Sequence, residues 1–253
     1  MSATRTRLLV PSLLALAAFA VLIGLGTWQI ERKAWKEGLI ASIAQRLDAP
    51  PVPLPPPQQW AALHPAADEF RRVVLRADFL ADMPEARLFT AGSALRDDVK
   101  SPGYFVFSPA RLADGRKVVV NRGFASAVRP TASTPPVEVP RLPVEMVGVL
   151  RWPGQPGWFD RIYSPTDDLW FVADHRAMAE HYGWGEVAPF YVEMEAPVPA
   201  SGVPRPARLK PHLPNNHLQY AITWYGLAAV LAGVFGFWLR ARRREAAPED
   251  ATG

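Results

Sequence analysis

One stretch holds the residue types best suited to chemistry: Pro214-Asn215-Asn216-His217-Leu218-Gln219-Tyr220-Ala221-Ile222-Thr223-Trp224-Tyr225-Gly226-Leu227. Asparagine is a good helix N-cap, so the proline and two asparagines end a loop and open a helix. At about 100° per residue, His217, Ala221 and Trp224 share one stripe of that helix, with Tyr220 on its edge. Two chemistries suit a histidine in this position. It can act as an interfacial hydrogen-bonding group between membrane helices. It can also act as an axial ligand of haem iron, with a flat ring lying where small Ala221 leaves room beside the aromatics. An earlier apolar segment carries Trp28, Arg32 and Trp35 on a single stripe (i, i+4, i+7). Arg32 and the positive N-terminus of the second helix are both suited to pairing with a propionate. Both chemistries are compatible with the spacing.

Other reaction classes find little footing. There is no nucleophile elbow for a Ser/His/Asp mechanism. Gly154-Gln155-Pro156-Gly157 has neither the spacing nor the lysine of a phosphate loop. Asp97-Asp98 and Asp167-Asp168 read as loop residues rather than an acid–base pair. His175 and His181 are six apart, which separates them on a helix, and they read as members of a surface helix. His64 lies between Leu63 and Pro65 in a loop, and His212 is a second histidine close to His217. The absence of cysteine removes disulfides, thiolate catalysis and iron–sulfur sites together. The formal charge of +4 includes no long basic tract away from the membrane flanks, so nucleic-acid binding has no support. No enzyme is expected.

The elements that must position His217 are membrane spans. The chain is 49% hydrophobic, yet its mean hydropathy is near zero, so the apolar residues are concentrated, and they lie at the two ends. Leu8 to Ile30 and Leu218 to Leu239 are uncharged, each long enough to cross a hydrocarbon core of roughly 30 Å. Ala18-Phe19-Ala20 resembles a signal-peptidase site, but the apolar run continues past it to Ile30, which favours an uncleaved span. Arg240, Arg242, Arg243 and Arg244 follow the second span at once and set both termini in the cytoplasm, or in the matrix of an organelle. The expected order is a cytoplasmic N-terminus (1–7), a first span (8–30), a periplasmic β-rich domain (31–217), a second span (218–239) and a basic cytoplasmic tail (240–253). Small residues in both spans, Gly24, Gly26, Gly226, Ala229, Gly233 and Gly236, predict close helix packing.

Between the spans, Glu31 to Asp48 continues the first helix, with Trp35, Leu39, Ile43 and Leu47 on one face. Residues 49–57 read as a stiff polyproline connector. Strands are then expected at 70–80, 87–90, 103–110, 117–124, 144–152 and 190–195, with an Asp114-Gly115 hairpin turn and an exposed proline-rich loop at 129–143. Asp174 is placed to cap a short helix to Tyr182. The fold class is a membrane protein with two transmembrane α-helices flanking a mostly β (α+β) extramembrane domain.

Four stretches together resemble one family: Gly26-Thr27-Trp28-Gln29-Ile30-Glu31-Arg32-Lys33-Ala34-Trp35-Lys36, Asn121-Arg122-Gly123-Phe124, Trp170-Phe171 with Asp174 and Ala177-Met178-Ala179, and Pro214 to Gly226. In order and content they are similar to bacterial members of the Surfeit locus protein 1 family, the Surf/Shy-type assembly factors of cytochrome c oxidase. Members usually carry Asp where this chain has Asn121, and Trp where it has Phe124. The resemblance implies a role in maturing a haem–copper (aa3-type) oxidase of the respiratory chain in the cell inner membrane. It implies haem a as a transiently bound cargo, with His217 as the iron ligand and Trp224, Tyr220, Arg32 and Trp28 around it. The implied partners are the oxidase catalytic subunit, a haem a synthase and the lipid bilayer. A membrane scaffold that stabilises oxidase subunits without binding haem is the alternative, and His212 is a substitute ligand to consider.

Overall fold

The structure is a computed structural model and describes residues 3–126, 139–154, 157–158, 161–211 and 213–245. Its contacts divide the chain into two units. One is 41–213; the other joins 1–40 to 214–253. The expected loop at 129–143 falls largely outside the described residues, as does His212.

One strand of the sheet unit alternates clearly. In β2 (Arg72–Phe79) the residues Val73, Leu75, Ala77 and Phe79 all point inward. By contrast β4 (Gly103–Leu112), β5 (Lys117–Ala125) and most of β9 (Val187–Ala196) are buried on both faces, and β6 (Val144–Arg151) is buried mainly in its second half. β2 pairs with β6, β6 with β9, β9 with β5, β5 with β4, and β4 returns to β2. That circuit is a closed barrel of five strands. Taken in chain order its strands run 1-2-3-5-4-1, with the third and fifth parallel, a Greek-key barrel of the OB type. Leu150, Phe190, Val192 and Met194 complete the interior, and full burial of each such side chain is worth about 1.5–3 kcal/mol. The turn after β4 closes through Asp114-Gly115, where the Asp114 carboxylate accepts from the Arg116 N–H at 3.1 Å.

The proline-rich stretch is more than a connector. Val52–Pro53 form β1, which pairs in parallel with the edge of β2, and the Leu54 N–H donates to the Val74 carbonyl at 3.0 Å. Proline is tolerated there because an edge strand can spare a donor. A 3-10 turn at Pro57–Ala62 then brings Trp60 edge-on to Phe190 at 5.3 Å. The short helix α2 (Pro65–Asp68) leads into β2.

The outer face of β4 and β5 is the ligand-binding face in barrels of this type. Here it is covered by the chain itself. The long connections add β3 (Ala86–Thr90), β7 (Tyr163–Ser164) and β8 (Leu169–Trp170) beside β4. Helix α3 (His175–His181) and Trp184 pack against Phe105, Phe107, Val119 and Tyr191. Asp174 caps α3, accepting from the Arg176 and Ala177 amides, as the sequence predicts.

In the other unit, α1 (Ala3–Asp48) and α4 (His217–Glu245) are both long and apolar enough to span a membrane. The chain is a membrane protein with two transmembrane helices around a β domain. The two helices pack along one seam. On α1 the covered positions step by three and four from Ser12 through Phe19, Gly26 and Gln29 to Lys33 and Lys36. On α4 they run His217, Ala221, Trp224, Ala228, Leu231 and Phe235. That spacing is the 3.5-residue period of a coiled-coil seam. The small residues divide unequally. Gly26 is buried, but a side chain at Gly24, Gly226, Gly233 or Gly236 would meet nothing within 4 Å. Ala229 is exposed, while Ala221 and Ala228 are 0% and 1% exposed. Close approach therefore rests on Gly26 and these two alanines, because the glycines of α4 lie off the 3.5-residue seam.

The expected apolar face after the first span holds over half its length. Ile43 and Leu47 are buried with Phe70, Val149 and Leu209. Trp35 and Leu39 are exposed, since the seam at that level passes through Lys33 and Lys36 instead.

Candidate functional site

Helix α4 begins at His217, with the Asn216 carbonyl accepting from the Tyr220 N–H. The preceding turn is fixed to α1, because Lys36 Nζ donates to the Pro214 carbonyl at 2.5 Å. Within this framework His217 sits half-buried in the seam, and its Nδ1 lies 2.7 Å from Gln29 Oε1. A short way along the pair, the Tyr225 ring packs against Gly26. An added Cβ there would fall 2.6 Å from the ring, so no larger residue fits without moving it. The Tyr225 hydroxyl is 3.1 Å from Thr27 Oγ1, which itself donates to the Ile23 carbonyl. Both polar contacts bridge the helices, where the alternative is a polar group facing hydrocarbon.

The expected site residues separate into two groups. His217, Ala221 and Trp224 share the seam, as their spacing requires. Trp28 and Tyr220 are 53% and 55% exposed, and Arg32 is also exposed. Trp28, Arg32 and Trp35 do form one stripe, with the Arg32 guanidinium 3.9 Å from the centre of the Trp35 ring. That stripe is turned away from the seam by about a quarter to a third of a turn, so the structure does not gather it around His217. Gln29 was legible only as a polar residue at the end of a span. Its partnership with His217 depends on the register between two segments 188 residues apart.

The donor set fits a haem ligand on one count. Nδ1 faces a carbonyl oxygen, an arrangement that orients metal-binding histidines and leaves Nε2 as the free nitrogen. Asn215 Oδ1, two residues away in sequence, is a buried acceptor without a hydrogen-bond partner. Among the described residues no group of three or more histidine and carboxylate side chains is arranged to hold a metal ion, so a protein cage for a bare ion has no candidate.

The remaining polar residues are structural. His175 is fully buried, its Nε2 3.0 Å from the Ala188 carbonyl and its Nδ1 unpartnered. This corrects the surface-helix reading: α3 lies on the barrel, and its first residue points in. Burial pushes the His175 pKa down to about 4. His181 packs against Tyr163 and Trp170. Asp168 accepts from both Tyr163 and Tyr182, at 2.9 and 2.5 Å. Asp98 pairs with Arg96 and Arg205, and the Arg96 hydrogen bond holds its carboxyl below the usual range. Arg122 pairs with Glu85, which also accepts from Ser108.

The fold and site define a class: a two-span membrane protein carrying an OB-type barrel whose outer ligand face is closed, with a histidine at the head of its second span. Comparison with known proteins gives its family. The model of the SURF1 family matches residues 16–229. The chain is 32% identical over 220 residues to the rat Surfeit locus protein 1, covering 83% of this chain and 69% of that protein. It is 32% identical over 218 residues to the human Surfeit locus protein 1, covering 81% and 70%. A SURF1-like protein of Monosiga brevicollis is 31% identical over 237 residues, covering 88% and 84%. The chain belongs to the SURF1 family.

Proposed function

We propose that this chain is an assembly factor for a haem–copper (aa3-type) cytochrome c oxidase. It binds haem a through His217 and assists its insertion into the catalytic subunit. Its barrel domain stands in the periplasm and both termini in the cytoplasm, the orientation favoured by the arginines after the second span. A haem a synthase is the natural supplier of the cargo. The role is carriage, so binding must be firm enough to accept haem and loose enough to release it. The observation that carries this reading is the His217 imidazole at the seam, with Nδ1 engaged by Gln29. Trp224, on the same stripe, would flank the ring. When bound, the haem iron would supply only a coordination bond to the imidazole. His217 would ligate the iron, and Gln29 and the helix seam would orient the ring.

The same hydrogen bond favours a second reading. A ring that already ties two helices together can serve a scaffold that never touches haem. The two readings part in cells that lack the chain. Wild type should restore membrane haem a content and oxidase activity, and His217→Ala, present in the membrane at equal level, should restore neither. Full restoration by His217→Ala would favour the scaffold.

A further inference from the structure

Gln29 Oε1 lies 2.7 Å from His217 Nδ1, and both residues sit half-buried on facing seams. A neutral imidazole has two tautomers, and the hydrogen bond made by one nitrogen decides which nitrogen keeps its lone pair. A carbonyl oxygen at Nδ1 requires the proton there, which leaves Nε2 unprotonated. The helices are held together nearby by Tyr225 against Gly26 and Thr27. The site also lies beside hydrocarbon, where a hydrogen bond is electrostatically stronger than in water. The side chain is an amide rather than a carboxylate, so it orients the ring without placing a charge in the span, where charge is costly.

We propose that Gln29 is a positioning residue for His217, holding the imidazole as its Nδ1–H tautomer with Nε2 presented for ligation. The ligation half rests on the haem-carrier reading above. The tautomer half stands independently of it. Gln29 contacts no iron; it acts through the ring. An amide turned over would offer its NH2 to Nδ1 instead and reverse the tautomer.

The test uses the full chain in lipid nanodiscs, haem-free, with nitrogen-15-labelled histidine, at a pH where imidazole is neutral. The His217 signals are identified by their loss in His217→Ala. Wild type should show a protonated Nδ1 and a bare Nε2. Gln29→Leu, an apolar change suited to the span, should move the proton mainly to Nε2. Haem a occupancy after co-expression should fall about 10–100-fold in Gln29→Leu. A protonated Nε2 in wild type, or an unchanged pattern in Gln29→Leu, overturns the proposal. An altered tautomer with unaltered haem occupancy overturns its ligation half. Wild type that yields no haem while the tautomer still answers to Gln29 upholds the positioning and refutes the haem reading instead.

Discussion

At His175 burial and ionisation oppose each other. The ring is fully buried against Tyr191 and stays neutral, its pKa lowered from 6.5 to about 4 mainly by desolvation. In the unfolded chain it takes up a proton at higher pH. The stability it lends is therefore complete above about pH 6.5 and is lost as pH falls towards 4, by up to about 3 kcal/mol. Unfolding of the full chain in detergent should show this loss, and His175→Gln should flatten the slope between those pH values. A variant that keeps the wild-type slope would show that other groups cause it. Gly26 allows a second prediction for a single residue. Gly26→Ala must displace the Tyr225 ring and its contact with Thr27, costing about 1–3 kcal/mol. Gly226→Ala meets open space and should leave thermal stability unchanged or slightly higher. Equal effects would contradict the seam.

At the scale of elements, the strand after the Asp114-Gly115 hairpin turn shows why one glycine is required. Gly123 has φ +122, and a Cβ there would fall 2.2 Å from the Arg205 carbonyl carbon. The neighbouring Phe124 exchanges two backbone hydrogen bonds with Arg205, and Asn121 Oδ1 accepts from the Gly123 N–H. Gly123→Val should therefore detach segment 203–206 and cost more than about 3 kcal/mol, read as an earlier denaturant midpoint by tryptophan fluorescence. A wild-type midpoint would contradict this. Phe124, next to Gly123 in β5, packs on Phe105 at 5.8 Å. Most strands were legible in the sequence, because alternation such as Val73, Leu75, Ala77 and Phe79 reports one buried face directly. The α3 cap was legible for a similarly local reason. The closed circuit was not, since β2–β4 and β5–β9 pairing depends on contacts distant in sequence. The edge strand at Val52–Pro53 was hidden by its prolines. At the site, the stripe of His217, Ala221 and Trp224 followed from helical spacing. The separation of Trp28 and Arg32 from that stripe did not, because spacing along α1 says nothing of which face meets α4.

For the whole molecule, the OB-type outer face is already filled by α3 and Trp184. The proposed haem-carrier reading therefore rests on the helix pair, and haem a, with an apolar ring and charged propionates, is the cargo it proposes. The most direct measurement is an absorption spectrum of the full chain, co-expressed with haem a biosynthesis and purified in mild detergent, beside His217→Ala. The account predicts a haem a spectrum in wild type that is lost or strongly shifted in the variant. A colourless wild type, or a variant with unchanged spectrum and occupancy, would contradict it.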